Sequence, residues 1–115
     1  MKLIVAIIPP QKLEAVKEAL AAEEVFRLTV IDVQGFGRQK GLTEVFRGSD
    51  VASSFVRKVE IQIAVNEDYV ERSIQAIVKA GRSGSKGKVG DGKIFVVPIA
   101  DCVRIRTGER GPEAI

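Results

Sequence analysis

Two arginines near the C-terminus form the first pair of side chains whose types and spacing could hold an anion. Arg104 and Arg106 are two residues apart in a segment that alternates apolar and charged residues. On a strand this spacing puts both guanidinium groups on one face, where they repel each other unless an anion lies between them. The arginine fork matches the oxygens of a phosphate. From the pair alone, a solvated strand edge whose arginines pair with scattered acids is the more common arrangement.

A glycine-rich segment before the last apolar run is a second candidate for phosphate binding. Residues 87–93 read GKVGDGK, close to a P-loop, yet Ile94 stands where a serine or threonine would hold magnesium, and a strand pattern follows. We therefore reject a P-loop. Repeated glycines still allow backbone N–H groups to face an anion, with Lys93 adding a charge. The structural alternative is a hairpin turn at residues 91–92.

A second glycine-rich segment, the third candidate, follows an earlier apolar run. Residues 35–41 read GFGRQKG, which is not a dinucleotide-binding fingerprint because no helix pattern follows. A flexible loop base and an approach to a nucleotide, with Arg38 or Lys40 on its phosphates, both fit. Residues 37–57 then break every periodic pattern. A loop of roughly 20 residues inside a compact domain is uncommon and usually functional.

The composition excludes several kinds of chemistry. The chain has 115 residues, no histidine and a single cysteine, Cys102. Histidine-dependent catalysis, histidine-ligated zinc and an internal disulfide are excluded, and the cysteine usage fits a cytoplasmic location. The apolar runs reach about eight residues, far short of the roughly 20 of a membrane span. Two prolines instead of a cleavage site follow the first run, so no secretory signal is expected.

The charge distribution is more informative than the net charge. A net charge of +3 is modest and does not by itself indicate a nucleic-acid partner. Residues 79–93, however, contain five lysines and arginines against the single acid Asp91. Such a segment favours phosphate over a carboxylate-rich partner.

The hydrophobic periodicity predicts one ferredoxin-like α+β domain with the order β-α-β-β-α-β. We expect strands over residues 3–8, about 27–36, 58–65 and from 94, and helices over about 10–23 and 66–81. The unbroken apolar run 3–8 predicts a strand buried on both faces. The strict alternation of residues 58–65 predicts a strand with one buried face.

Several residues mark the expected ends of these elements. Pro10 suits the first turn of a helix, and Asn66 suits an N-cap. Gly81 ends the second helix, and Pro98 places the last strand at an edge or a bulge. Residues 103–106 alternate again as strand, and the tail from Thr107 is expected to be polar and mobile.

The predicted fold separates the two glycine-rich segments. One leaves the second strand and the other enters the last strand, and a ferredoxin-like sheet places these strands at opposite edges. One chain is not expected to bring them together, so a site that used both would suit an interface between subunits.

Four motifs in this order closely resemble those of the PII signal-transduction proteins of nitrogen regulation. They are GFGRQKG at residues 35–41, RGS at 47–49, GDGKIF at 90–95 and VRIRTGE at 103–109. The resemblance covers nearly the whole chain and implies a homotrimer of ferredoxin-like subunits. It implies one domain over residues 1–115, with a T-loop at about 37–57, a nucleotide-binding loop at about 81–92 and a C-terminal tail at about 107–115.

The resemblance also implies a function. Such a protein is a non-enzymatic regulator that binds ATP or ADP, with Mg2+ accompanying ATP, in clefts between subunits. It controls a target protein, such as a transporter or a nitrogen-metabolism enzyme, through the T-loop. Gln39 would help to coordinate the magnesium ion, and 2-oxoglutarate would chelate that ion and pair with Lys58. Arg47 matches a partner-binding position that enters ammonium channels in some members.

By the same resemblance, one set of residues surrounds the nucleotide. Its members are expected to be Ile7, Thr29, Gly35, Gly37, Arg38, Gln39, Ala64, Gly90, Asp91, Gly92, Lys93, Arg104 and Arg106. Those near the base and ribose would be Ile7, Thr29, Gly35 and Ala64. The phosphates would be held by Gly90, Lys93, Arg104 and Arg106.

Three departures from the family pattern matter. Val51 stands where a tyrosine is usual at the T-loop tip, so nucleotidylation is not expected there. Residues 82–86 make the nucleotide loop longer than usual, with Lys86 in place of a serine or threonine, which could alter nucleotide preference or add a phosphate contact. Pro9 replaces a common lysine.

Two other classes of protein remain as alternatives. A nucleic-acid-binding module can share this fold, but it needs aromatic side chains on its central strands, and residues 58–65 have none. An enzyme that hydrolyses the triphosphate would need a base that activates water. Asp91 and Glu44 lie in predicted loops, and neither belongs to a pattern typical of a water-activating base, so we expect no enzymatic activity.

Overall fold

The chain folds into one antiparallel sheet with two helices on one side. The computed structural model describes the backbone of residues 1–38 and 53–115 and the side chains of residues 1–36 and 55–115. The elements are β1 (Lys2–Ile8), α1 (Leu13–Ala22), β2 (Thr29–Arg38), β3 (Ser53–Val65), α2 (Val70–Gly81) and β4 (Lys93–Pro98). Short 3-10 helices precede α1 at Pro10–Lys12, precede α2 at Glu67–Tyr69 and end the chain at Gly111–Ala114. This order confirms the predicted ferredoxin-like fold.

The strands lie in the order β2-β3-β1-β4, and every neighbouring pair is antiparallel. Because β1 and β2 run in the same direction, both finish at the end of the sheet where β3 and β4 begin. We call this end the loop end, and there Ile7 pairs with Lys93. At the opposite end, called the terminal end, Lys2 pairs with Val65 and with Pro98.

The hydrophobic core lies between the sheet and the helices. It is formed by Ile4, Ala6, Ile8, Val16, Leu20, Val25, Val59, Ile61, Ile63, Val65 and Ile77. The four members from β3 are every second residue, which confirms the predicted alternation. β1 also alternates, with three buried residues and half-exposed residues between them. The prediction that β1 is buried on both faces is therefore wrong for the single chain, because the helices cover only one face.

The other face of the sheet, which we call the open face, has no covering layer among the described residues. Strand pairing places these residues on it: Leu3, Val5, Ile7, Thr29, Ile31, Val33, Gly35, Val56, Lys58, Glu60, Gln62, Ala64, Lys93, Phe95 and Val97. Phe95 and Val97 keep 47% and 43% of their surface exposed. An apolar face of this kind is typical of an association surface.

β2 and β3 extend beyond their predicted ends. β2 begins at Thr29 and continues to Arg38, and β3 already begins at Ser53, so the ladder includes both ends of the expected 37–57 loop. Phe36 and Phe55 lie opposite each other in this extension, with ring centroids 5.1 Å apart. Aromatic pairs of this kind stabilise a ladder across strands.

The segment after β4 differs most from the sequence prediction. Residues 103–106 were expected as strand, but only Val103 forms a bridge, with Arg110. The chain reverses between them because Gly108 adopts a φ of +76°, a conformation that glycine tolerates. The tail, which was expected to be polar and mobile, forms a final 3-10 helix that buries Ala114 against the protein.

Asn66 precedes the predicted helix but does not cap it. Its side chain makes no capping hydrogen bond, and its Nδ2 donates to the carbonyl oxygen of Pro112 at 3.1 Å. The prediction of a side-chain N-cap is therefore wrong. The amide is instead used to hold the C-terminal 3-10 helix against the terminal end of the sheet.

Gly92, at the start of β4, allows the closest backbone approach in the described loops. A Cβ atom on Gly92 would lie 1.9 Å from the carbonyl oxygen of Ile7, and the residue has a φ of +106°. Gly90 shares this conformation, with a φ of +101°, but has open space around it. We expect Gly92→Ala to lower the free energy of unfolding by about 2 kcal/mol more than Gly90→Ala, measured by urea denaturation. Equal losses in the two variants would contradict the steric argument.

Candidate functional site

Lys58 joins two of the predicted site segments at the loop end. It lies half-buried on the open face of β3, and its Nζ donates to the carbonyl oxygen of Gly90 at 2.9 Å. Gly35 on β2 lies beside the aliphatic stem, since a Cβ atom there would be 3.7 Å from Cγ of Lys58. β2 and β4 do lie at opposite edges, as expected. The expectation that one chain does not connect the two segments is wrong, because Lys58 connects them across the sheet.

The predicted nucleotide loop is organised by Asp91. Its carboxylate accepts hydrogen bonds from the Ser83 hydroxyl at 2.6 Å and from the backbone N–H groups of Ser83 and Lys88 at 2.9 Å each. The Ser83 hydroxyl and then the two backbone donors lower the pKa of Asp91 to about 2. Both carboxylate oxygens are thus engaged inside the loop, so Asp91 shapes the loop that carries Gly90 and Lys93.

The predicted arginines lie at the terminal end. Arg104 forms an ion pair with Glu109, and its Nη2 donates to the carbonyl oxygen of Glu113 at 3.0 Å. Arg106 lies exposed in the turn that follows. The prediction that the two share one strand face is wrong, because residues 105–107 form a turn and not a strand.

The predicted nucleotide residues therefore fall into two groups. Lys93 begins β4 at the loop end, and the arginines follow the other end of this strand. The six residues of β4 span about 17 Å. Thr29 and Gly35 are likewise separated by about 20 Å along β2. The loop-end group contains Ile7, Gly35, Gly90, Asp91, Gly92 and Lys93, with Lys58 beside it. The terminal-end group contains Thr29, Ala64, Arg104 and Arg106.

The remaining predicted residues belong to the T-loop and its base. Gly37 and Arg38 end β2 at the loop end, and only their backbone is described. Gln39, Arg47 and Val51 lie outside the described residues. Within the described ranges, no group of three or more histidine, cysteine, aspartate or glutamate side chains could hold a metal ion. None of the helices in these ranges is long and apolar enough to cross a membrane.

Three contacts at the candidate site were not predicted from the sequence. The ion pair of Arg104 with Glu109 was hidden because residues 103–106 were expected as strand. The contact of Lys58 with Gly90 joins residues 32 positions apart, and no local pattern indicates it. The Asp91 hydrogen bonds had a weak signal, since aspartate before glycine in a glycine-rich segment is typical of side-chain-supported turns.

Comparisons with known proteins point to one family. The family model for nitrogen regulatory protein P-II matches residues 1–109. Nitrogen regulatory protein GlnK1 of Methanosarcina mazei is 50% identical over 115 residues, which are 100% of this chain and 97% of that protein. Nitrogen regulatory protein P-II of Azospirillum brasilense is 50% identical over 115 residues, the full length of both chains.

A solved structure shows the same architecture. The crystal structure of Arabidopsis thaliana PII bound to citrate superposes with a TM-score of 0.76 at 37% sequence identity. The match covers 99% of this chain and 91% of that chain.

The low pKa of Asp91 predicts how stability depends on acid pH. Because its folded pKa of about 2 lies below the ordinary 3.8, the ionised carboxylate stabilises the fold above 3.8, and this stabilisation is lost as the pH falls toward 2. We expect Asp91→Asn to melt at a lower temperature than the wild type at neutral pH, and this difference to shrink between about pH 4 and about pH 2. Asp32→Asn, on exposed β2, is the control. A difference independent of pH would contradict the role of Asp91.

Proposed function

The chain belongs to the nitrogen regulatory protein P-II family of signal-transduction regulators, and from this premise we propose that it senses ATP and ADP. The nucleotide would bind in clefts between the subunits of a homotrimer, with Mg2+ accompanying ATP. The regulator would then act on a target protein through residues 37–57. The observation that carries this proposal is the separation of the predicted nucleotide residues into two groups at opposite ends of the sheet.

The geometry of the two groups supports a site shared between subunits. Within one chain, Lys93 begins β4 and Arg104 follows its far end, so about 17 Å of strand separates the phosphate groups that each would hold. If one subunit supplies its loop end and its neighbour supplies its terminal end, both cations reach the same phosphates. Three such junctions arise in a closed ring of three identical subunits, because each interface is heterologous.

The open face supports the assembly itself. Its apolar side chains, including Val5, Phe95 and Val97, lie on the side of the sheet away from the helices. Burial of such a face stabilises association by roughly 25 cal/mol per Å2 of apolar surface removed from water. Assembly through this face would leave the helices outside.

The surroundings of Lys58 support binding of 2-oxoglutarate. Its Nζ is bonded to one neutral carbonyl oxygen, that of Gly90, so it retains hydrogens for a carboxylate ligand. Gln39, which directly follows the last residue of β2, would complete the site around magnesium. The Arabidopsis thaliana protein is a PII bound to citrate, another small polycarboxylate, which agrees with an anionic effector.

The output of the sensor would be the position of the T-loop. A ligand that contacts the base of this loop in only one of its conformations shifts the population toward that conformation. β2 and β3 carry the loop, and Lys58 on β3 contacts the nucleotide loop directly. Arg47 would then contact the target protein, such as a transporter or a nitrogen-metabolism enzyme.

The alternatives have weaker support. Asp91, the carboxylate within the predicted nucleotide loop, is a poor general base because its pKa is about 2 and its oxygens already accept hydrogen bonds. This favours a non-enzymatic regulator. On the open face, the described residues of the central strands β1 and β3 present no aromatic side chain for base stacking, which disfavours an RNA-binding module.

A test with mixed subunits follows from the two-group geometry. Lys93→Ala and Arg104→Ala should each weaken ATP binding at least about tenfold in calorimetry, since each removes a charge-assisted hydrogen bond. If the site joins two subunits, co-assembly of the two variants restores intact pairs in roughly one site in four, one half multiplied by one half. Each variant assembled alone is the control. Mixed trimers, verified by native mass spectrometry, that recover no tight sites would overturn the proposal.

A second test concerns the effector. We expect 2-oxoglutarate to bind the protein only in the presence of Mg-ATP, and Lys58→Gln to weaken that binding at least about tenfold because the cation is lost. ATP affinity itself should change less than about threefold in this variant. Calorimetry of 2-oxoglutarate with and without Mg-ATP measures both effects. Binding to the nucleotide-free protein with equal affinity would contradict the mechanism.

A further inference from the structure

A pocket of about 720 Å3 lies on the helix side of the sheet, beneath the long nucleotide loop. Its apolar floor comes from both layers of the fold. The floor residues are Ile8, Ile74, Ile77, Val78 and Ile94. This pocket is therefore a gap between the C-terminal turns of α2 and the first residues of β4, closed on one side by the loop.

The rim of this pocket is cationic. Arg82, Lys86 and Lys88 line it, and all three are exposed. None of them forms a salt bridge with another described residue. The one acidic residue in the lining is Asp91, whose oxygens accept the three hydrogen bonds that hold the loop. The pocket thus combines an apolar floor with positive charges that no carboxylate of the described side chains pairs with.

The pocket lies on the opposite side of β4 from the proposed nucleotide cleft. Ile94, on the pocket floor, pairs with buried Ala6 and faces the helices. Lys93, next to it, pairs with Ile7 on the open face. Successive side chains of a strand point to opposite faces, so the two sites use different surfaces of the same segment. Asp91, Gly92 and Lys93 belong both to the pocket lining and to the predicted nucleotide residues, and they mark the boundary between the two sites.

The pocket wall is held in shape by the protein itself. Asp91 ties Ser83 and Lys88 together across the loop, which fixes the chain on either side of Lys86. Gly87 packs closely against Arg82, since a Cβ atom at Gly87 would lie 3.3 Å from Cγ of that arginine. A preformed wall lowers the entropy cost of binding a ligand.

From these features we propose that the pocket binds an amphipathic phosphate, a small molecule with an apolar body and one phosphate group. The apolar body lies on the floor between α2 and β4, and the phosphate contacts Arg82 and Lys86. The guanidinium fork of arginine matches phosphate oxygens, and lysine adds a point charge. This site is separate from the nucleotide cleft, and it assigns a role to the segment 82–86 that distinguishes this chain from the family pattern.

The experiment uses four probes on the full-length protein. Octyl phosphate, octanoate, octanol and inorganic phosphate are titrated separately, with backbone amide chemical shifts as the readout. We expect octyl phosphate to bind at least about tenfold more tightly than octanol or inorganic phosphate. Of these three probes, only octyl phosphate has both an apolar chain for the floor and a phosphate for the cationic rim. Shift changes should concentrate in residues 74–94. Octanoate binding as tight as octyl phosphate binding would overturn the preference for phosphate, and weaker binding would support it.

Paired variants test the assignment. The double variant Arg82→Gln/Lys86→Gln should weaken octyl phosphate binding at least about tenfold. The matched control Lys17→Gln/Lys79→Gln removes two charges from the helices outside the pocket and should leave binding unchanged. Octanol binding as tight as octyl phosphate binding, or equal binding by both double variants, would overturn the proposal.

A competition arm separates this site from the nucleotide cleft. Saturating ATP should leave octyl phosphate affinity nearly unchanged in the wild type, and Arg104→Ala should bind octyl phosphate normally. Stoichiometric competition by ATP would overturn the proposal by assigning the pocket to the nucleotide site. Failure of the mixed-subunit test would not affect this result, because every pocket residue comes from one chain.

Discussion

A sheet whose helices cover only one face is the constraint on which the rest of this structure depends. The period of two along β3 sends Val59, Ile61 and Ile63 into the core and sends Lys58 and Glu60 to the other side. The open face therefore carries both apolar residues that favour association and the polar residues proposed to bind ligand. Assembly and the proposed ligand binding would then use the same surface, and a cleft between subunits would satisfy both.

The length of β4 determines how far apart the proposed phosphate-binding cations of one chain lie. A strand cannot fold back on itself, so Lys93 and Arg104 stay at the two ends of the sheet. Within the chain, two of the proposed ligand-binding cations already have acceptors: Lys58 bonds to Gly90, and Arg104 pairs with Glu109. Exposed ion pairs contribute about 0–1 kcal/mol, so exchange of such a partner for a multiply charged phosphate is energetically accessible.

Elements with a local, periodic pattern were predicted from the sequence. The structure departs from the prediction where contacts between distant residues determine the conformation. The alternation in β3 and the helix before Gly81 follow directly from side-chain patterning. The turn at Gly108 could not be predicted from this patterning. The alternating residues before it resemble a strand, but a glycine with positive φ reverses the chain. Asn66 has the residue type of a cap, but Pro112, 46 residues away, determines where its amide points. The two-group division of the site required strand order and register together.

Asp91 connects the two faces of the loop that precedes β4. On one side, the loop presents the Gly90 carbonyl to Lys58 and hence to the strands that carry the T-loop. On the other side, the same loop forms the wall of the helix-side pocket. Because Asp91 holds Ser83 and Lys88 in place, we expect a ligand on one side of the loop to leave the shape of the other side unchanged. Linkage requires any coupling between two sites to be equal in both directions, so a pocket that ATP barely affects must itself barely affect the affinity for ATP.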